Sequence, residues 1–176
     1  MMDRMRRRAG AMLGALAIAL LASGCTPEPT PTPSPTGFAS EEEAFAAAEA
    51  TYRAYVDALN QVDLSDPATF EGVFEHLAGS ALADEKKSLT NLHAEKMAVS
   101  GSTVLNGFFA GTSNGALEAV ACLDVSRVSL IDQYGVSQIS PDRADVYAVR
   151  LAFTTTDSPL DVRIGESQAI EDSRCS

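Results

Sequence analysis

The residues with the most chemistry to offer are three thiols, Cys25, Cys122 and Cys175, and two imidazoles, His76 and His93. A cysteine nucleophile needs a base that deprotonates it, and Cys175 has no histidine near it in sequence. The histidines are seventeen residues apart on different expected helices, a spacing that assembles no metal site. His76 falls near the end of its helix, where an imidazolium suits the dipole. His93 sits mid-helix beside Glu95 and Lys96 and reads as part of a solvated face. Asp57 follows Arg53 by four residues, an ordinary helical surface pair. Tyr52 and Tyr55 lie on an apolar stripe and read as core residues with wetted hydroxyls. Asp124 alternates with an apolar set and either lines a pocket or pairs with Arg127 or Arg150. The sequence contains no phosphate-binding loop, dinucleotide fingerprint, zinc spacing, nucleophile elbow or calcium loop. It therefore calls for no metal and no cofactor, and no catalytic residue is assigned.

The segments that place these residues begin with a targeting signal. Arg4, Arg6, Arg7 and Arg8 form a basic region, and Ala9 to Ala22 an apolar stretch of fourteen residues. As a helix that stretch reaches roughly 21 Å, short of the roughly 30 Å hydrocarbon core, so it reads as a signal segment rather than a span. Leu21-Ala22-Ser23-Gly24-Cys25 resembles the lipobox of bacterial lipoproteins, although Leu21 stands four residues before the cysteine and Ala22 takes the usual leucine place. The resemblance implies that residues 1–24 are removed as a signal peptide. Cys25 would then carry a diacylglyceryl group and fatty-acyl (palmitate-type) chains. An ordinary cleaved secretory signal is the alternative. A lipidated Cys25 places the protein on the outer face of the cytoplasmic membrane and leaves Cys122 and Cys175 as an even set in an oxidising compartment. Those two then read as a disulfide worth roughly 4 kcal/mol by loop closure; the alternative is two buried thiols.

Residues 25–36 are the lipidated cysteine and a tether of alternating proline and small polar residues. Five prolines between Thr26 and Thr36 exclude helix and sheet and favour a polyproline II stalk of roughly 34 Å. Residues 37–176 suit one globular domain. The whole sequence carries −11. Removal of the four arginines and Asp3 takes away a net +3 and leaves −14. Such a field repels nucleic acid and anionic headgroups, so no nucleic acid partner is expected. Tryptophan is absent, which leaves little from which to build a carbohydrate-stacking platform.

Ser40-Glu41-Glu42-Glu43 is a capping box, and Phe45, Ala48, Tyr52, Tyr55, Val56 and Leu59 recur at helical spacing, predicting a helix over 41–61. Asp66-Pro67 starts a second helix through Phe70, Val73, Phe74 and Leu77, which Gly79 stops. A third is expected over about 81–98, with Leu82, Leu89 and Leu92 inward, Asp84 to Lys87 in water, and Gly101 ending it. From residue 103 the period changes to two. Val104-Leu105, Leu117–Val125, Tyr147–Phe153 and Leu160–Ile164 read as strands, with turns at Gly107, Gly111–Gly115, Asp132–Gly135, Ser140–Asp142 and Asp157–Pro159. The class is α+β: three N-terminal helices packed on a curved antiparallel sheet of four to five strands.

The order of these elements, with Tyr-x-x-Tyr-Val-x-x-Leu-Asn in the first helix, Ala-Cys-Leu-Asp-Val-Ser in a strand and a cysteine at the end, resembles uncharacterised actinobacterial lipoproteins. Their domain resembles the nuclear-transport-factor-2-like (NTF2-like) cone, and the likeness covers residues 41–176. The resemblance implies an apolar pocket between helices and sheet, with Tyr52, Tyr55, Asp124 and Tyr147 as candidate lining residues. Enzymes of that superfamily, such as ketosteroid isomerase, place an Asp base and a Tyr or Asp donor on the pocket wall, but no residue here matches such a motif. The expected role is a membrane-anchored, non-catalytic module that takes a small apolar ligand or an envelope protein. The alternatives are a structural protein that dimerises through its sheet face and, less favoured, a general-base enzyme. An acid and a tyrosine together in a sizeable pocket would favour the enzyme, and a pocket filled by its own side chains the structural role.

Overall fold

The computed structural model describes residues 37–156, 158 and 160–175. The chain divides into two units, Met1–Thr32 and Pro33–Ser176, and all the described residues belong to the second. The signal segment, Cys25 and the proline tether lie outside the described residues.

Helix α1 spans Glu41–Leu59. The Ser40 hydroxyl accepts from the Glu43 amide at 3.2 Å, and the Glu43 carboxylate reaches back to the Ala39 amide at 3.0 Å. The first bond satisfies one of the amides a helix start leaves unpaired, and the second ties down the residue before the cap. Ala44, Ala48, Tyr52 and Val56 form its buried stripe. Asp66 caps a 3₁₀ turn, Pro67–Phe70, that runs into the single-turn α2, Glu71–Phe74. The expected second helix is thus split and short.

Gly79 does not end a helix; it opens α3, Gly79–Ala94. The chain breaks at Ala78, whose amide donates to the Ile164 carbonyl at 2.8 Å, while the Ile164 amide donates to the His76 carbonyl at 3.0 Å. Gly79 has φ +55°, and a Cβ there would stand 3.0 Å from the Gly165 carbonyl oxygen. Close approach of two backbones, as well as the left-handed conformation, requires glycine at this corner.

The strands are β1 (Ala98–Ser100), β2 (Val104–Ser113), β3 (Ala116–Asp124), β4 (Ser129–Ile131), β5 (Val146–Thr155) and β6 (Val162–Ile170). Four form an antiparallel sheet in the order β2-β3-β5-β6, and β1 pairs with β4 in a separate two-stranded sheet. Bulges fall in β2 between Leu105 and Gly107, and where Ala152/Phe153 face β6; such extra residues bend a strand. Gly107, expected as a turn, lies within β2. A Cβ on it would meet the Phe109 ring at 3.2 Å and the Cys122 sulfur at 3.6 Å, so crowding rather than a reversal selects glycine. Leu160, expected in the last strand, precedes it and is exposed.

Register assigns the two faces. Leu123 faces Tyr147, Ala121 faces Val149 and Ala119 faces Leu151, and these alternate residues point at the helices. Their neighbours Cys122, Val120 and Asp124 point the other way. The inner face packs on α1 and the 70–78 segment to form the main core, which includes Val73, Leu117, Leu151 and Ile164. A final 3₁₀ turn, Ser173–Cys175, lies against β3 and β5.

Candidate ligand cavity

On α3, Leu82, Glu85, Leu89 and Leu92 recur at spacings of three and four, so Glu85 shares the inward stripe. Asp84, Lys86 and Lys87 are exposed as expected, whereas Glu85 is half-buried. The reading that sends the whole Asp84–Lys87 run into water is corrected at this residue. Glu85 lies on the wall of a cavity of about 420 Å³. The end of α1 supplies Leu59 and Asn60 to that wall, α3 supplies Ser88, Leu89 and Leu92, and the two-stranded sheet supplies Val99 and Leu130. The volume is within the range of roughly 300–1,000 Å³ typical of small-molecule sites.

Two polar residues of the wall have structural partners. The Asn60 side chain donates to the Thr103 carbonyl at 2.9 Å and accepts from the Thr103 amide at 2.8 Å, clamping the end of α1 to the chain before β2. Arg143 Nη2 donates to the Val125 carbonyl at 2.6 Å and the Val128 carbonyl at 3.2 Å, which fixes the turn before β4. Glu85 has less support. Its Oε2 accepts from the Tyr55 hydroxyl at 3.4 Å, a long contact, and among the described residues no cation forms an ion pair with it.

Glu85 and Tyr55 also line a smaller hollow of about 110 Å³ together with Tyr52. The Tyr52 ring packs 5.6 Å from Tyr55 and 6.0 Å from Phe108, centroid to centroid. Burial, reinforced by the nearby Glu85 charge, pushes the Tyr52 and Tyr55 hydroxyls well above the ordinary phenol value. Burial likewise raises the Glu85 carboxyl, which the Tyr55 hydrogen bond partly offsets. Tyr147 is raised by burial, opposed by the Arg143 charge. Tyr147 ends the inner face opposite Leu123, remains 37% exposed, and lies within electrostatic reach of both Glu85 and Arg143.

Of the four residues expected to line a pocket, Tyr52 and Tyr55 do so in the smaller hollow. Tyr147 stands on the same face beside them. Asp124 is on the opposite face. Its Oδ1 accepts from the Ser126 amide at 2.9 Å, and the bonds from Ser126 hold the carboxyl below its usual range. It closes a turn rather than lining a pocket; among the described residues it forms no ion pair with Arg127 or Arg150, although the Arg127 charge helps to hold its carboxyl down.

One surface pairing changes, and the two histidines gain partners. Arg53 pairs with Glu49 at 2.6 Å rather than with Asp57. His93 is exposed yet engaged, with Nδ1 2.7 Å from the Leu64 carbonyl and its ring edge-on to Phe70. The His76 carbonyl accepts one backbone bond, from the Ile164 amide at the edge of β6. Among the described residues no group of histidine, cysteine and acid side chains is arranged to hold a metal ion, and no helix is long and apolar enough to cross a membrane.

Behind the sheet, Cys122 and Cys175 form a disulfide with Cα atoms 5.1 Å apart, linking residues 53 positions apart. It fastens the final turn to β3. Beside it, Arg174 stacks 4.9 Å above the Phe109 ring and pairs with Asp172 at 2.6 Å. This covers part of the outer face expected as a dimer surface, though Phe109 remains 40% exposed.

No protein-family model and no curated relative matches the chain. Among solved structures it is similar to the intermembrane-space region of the chloroplast protein ARC6, at 12% identity and TM-score 0.49, over 73% of this chain and 97% of that one. It is also similar to the periplasmic domain of DotI, at 12% identity and TM-score 0.38, over 77% and 98% respectively. At that level of likeness neither assigns a role.

Proposed function

We propose that the protein is a lipid-anchored extracytoplasmic binding module. Residues 37–176 would form an NTF2-like cup held off the outer face of the membrane by a diacylglyceryl group on Cys25 and the proline stalk. The cavity of about 420 Å³ between α1, α3 and the two-stranded sheet carries this reading. Its wall is mostly apolar, and most of its polar groups either hold the scaffold or, like Glu85, are left to meet a ligand. That is the composition of a site for a small apolar molecule oriented by a few polar contacts. The arginines and apolar run before Cys25 and the disulfide support the compartment and the anchor.

Native mass spectrometry of the full chain extracted gently from its host membranes tests the binding. The expected result is a folded species with a persistent small-molecule adduct, whose mass names the ligand class. A bare mass would point instead to protein partners. The anchor is tested by Cys25→Ser, which should move the protein from the membrane to the soluble fraction; unchanged fractionation would rule the anchor out.

One observation favours a second reading, that of an enzyme. Glu85 and Tyr55 pair an acid with a tyrosine on the wall of the smaller hollow, as a general base and a hydrogen-bond donor would be placed. Exchange of a bound ligand's acidic hydrogens for deuterium, lost in Glu85→Gln, would establish it.

A further inference from the structure

Resting on the proposed cavity-binding role, we infer that the cavity selects a ligand with an apolar body and a protonated amine, and that Glu85 receives the amine. An ionised carboxylate offers about four acceptor sites. Glu85 uses one, on a contact of 3.4 Å with Tyr55, while its side chain faces two adjoining hollows. A carboxylate held in an apolar wall without a cation is costly. Nearby protein groups do not remove that cost. Lys86, the next residue, lies 5.1 Å above the Phe74 ring, and Arg143, the cation elsewhere on the same wall, directs Nη2 to two backbone carbonyls and forms no ion pair with Glu85. An ammonium brought by the ligand supplies both the missing charge and the missing donors, and charge-assisted bonds of that kind are among the strongest available to a small ligand. A ligand carboxylate would instead face Glu85 across the same small space. A neutral alcohol would gain the hydrogen bond without the charge. The cavity's apolar wall at Leu59, Leu89, Leu92 and Leu130 gives the rest of the ligand its place.

Three probes of equal length separate these cases: octylamine, octanol and octanoate, each titrated at neutral pH into the full chain as isolated from its host and followed by saturation-transfer NMR. The wild-type comparison needs no variant, so it stands even if a substituted protein fails to fold. Octylamine is expected to bind about tenfold more tightly than octanol, and Glu85→Gln to remove that advantage. Ser88→Trp, which places a bulky ring at the cavity wall, should abolish the binding. Equal affinities, or octanoate as the best probe, would overturn the assignment of an amine and leave the cavity-binding role intact. An amine preference that survives Glu85→Gln or Ser88→Trp is attraction to an acidic surface and also overturns it. If no probe binds, the cavity-binding role itself fails and this inference with it.

Discussion

The interior of the domain is filled at one end and hollow at the other. At the filled end Ala44, Ala48, Val73 and Leu151 have no exposed surface, and Leu117 and Ile164 have 1% each. There α1 lies on a sheet whose strands are all hydrogen-bonded side by side. Alanines at 44 and 48 on the helix and at 119 and 121 on β3 let the two layers close on one another. At the other end the helices meet the separate β1–β4 pair, only three residues per strand. That pair brings little more than Val99 and Leu130 to the wall. What differs is the backing: a broad sheet brings enough side chains to fill the space, and a narrow one leaves a cavity. The disulfide lies on the outer face of the broad sheet, where Cys122 stands between Ala121 and Leu123 of the main core and fastens the final turn against β3 and β5.

The largest effect should follow from cutting that tie. Replacing both Cys122 and Cys175 with alanine should cost about 3–4 kcal/mol by the chain-entropy model, measured as a shift in the urea midpoint with little change in slope. Hydrogen exchange should show the loosening concentrated in the final turn and the parts of β3 and β5 it lies against. Protection lost equally in β1 and β4 would mean that the tie supports the hollow end as much as the sheet it is bonded to.

Packing gives the next contrast. Leu151→Ala at the filled end should destabilise by about 3 kcal/mol, because its neighbours cannot collapse into the space. Leu92→Ala enlarges a cavity that already exists around a half-buried side chain, and should cost about 1 kcal/mol or less. Equal losses in urea unfolding would show the two ends to be equally well packed.

The filled end is also the more legible one in the sequence. The capping box at Ser40, the helical stripe from Ala48 to Val56 and the alternation in β3 and β5 each express a period that burial on one side imposes. The hollow end lacks such a signal. The strands β1 and β4 are too short for alternation to register. Gly101, read only as a helix stop, has φ +85° and sits where a Cβ would collide with the Arg127 carbonyl, a contact between segments that spacing cannot reveal. Glu85 was detectable in principle, since it falls between Leu82 and Leu89 on one helical stripe. Charge alone assigns it to water, and only the fold shows a carboxylate turned inward. Asp124 shows the converse. It follows Cys122 at the period of two, and its side is decided by register: both residues point outward.

The smallest effect sharpens the same contrast through pH. Burial raises the Glu85 carboxyl in the folded protein. Its contribution to stability is therefore fully present below the unfolded carboxylate value of about 4.3 and is lost as pH rises through its raised folded value, because ionisation is less favourable inside than in the unfolded chain. Three carboxylates outside the cavity act with the opposite sign. Asp172, beside Arg174, is held down to about 2, and Asp63 and Asp124 are lowered by hydrogen bonds. Their stabilisation is present above the unfolded value and is lost as pH falls through their depressed ones. Urea midpoints measured across this range should therefore turn down on both sides in the wild type. In Glu85→Gln the decline toward neutral pH should vanish while the acid decline persists. An unchanged neutral-side decline in that variant would mean that Glu85 ionises as freely in the fold as in water, and the contrast between a desolvated inner wall and a solvated outer face would fail at its most sensitive residue.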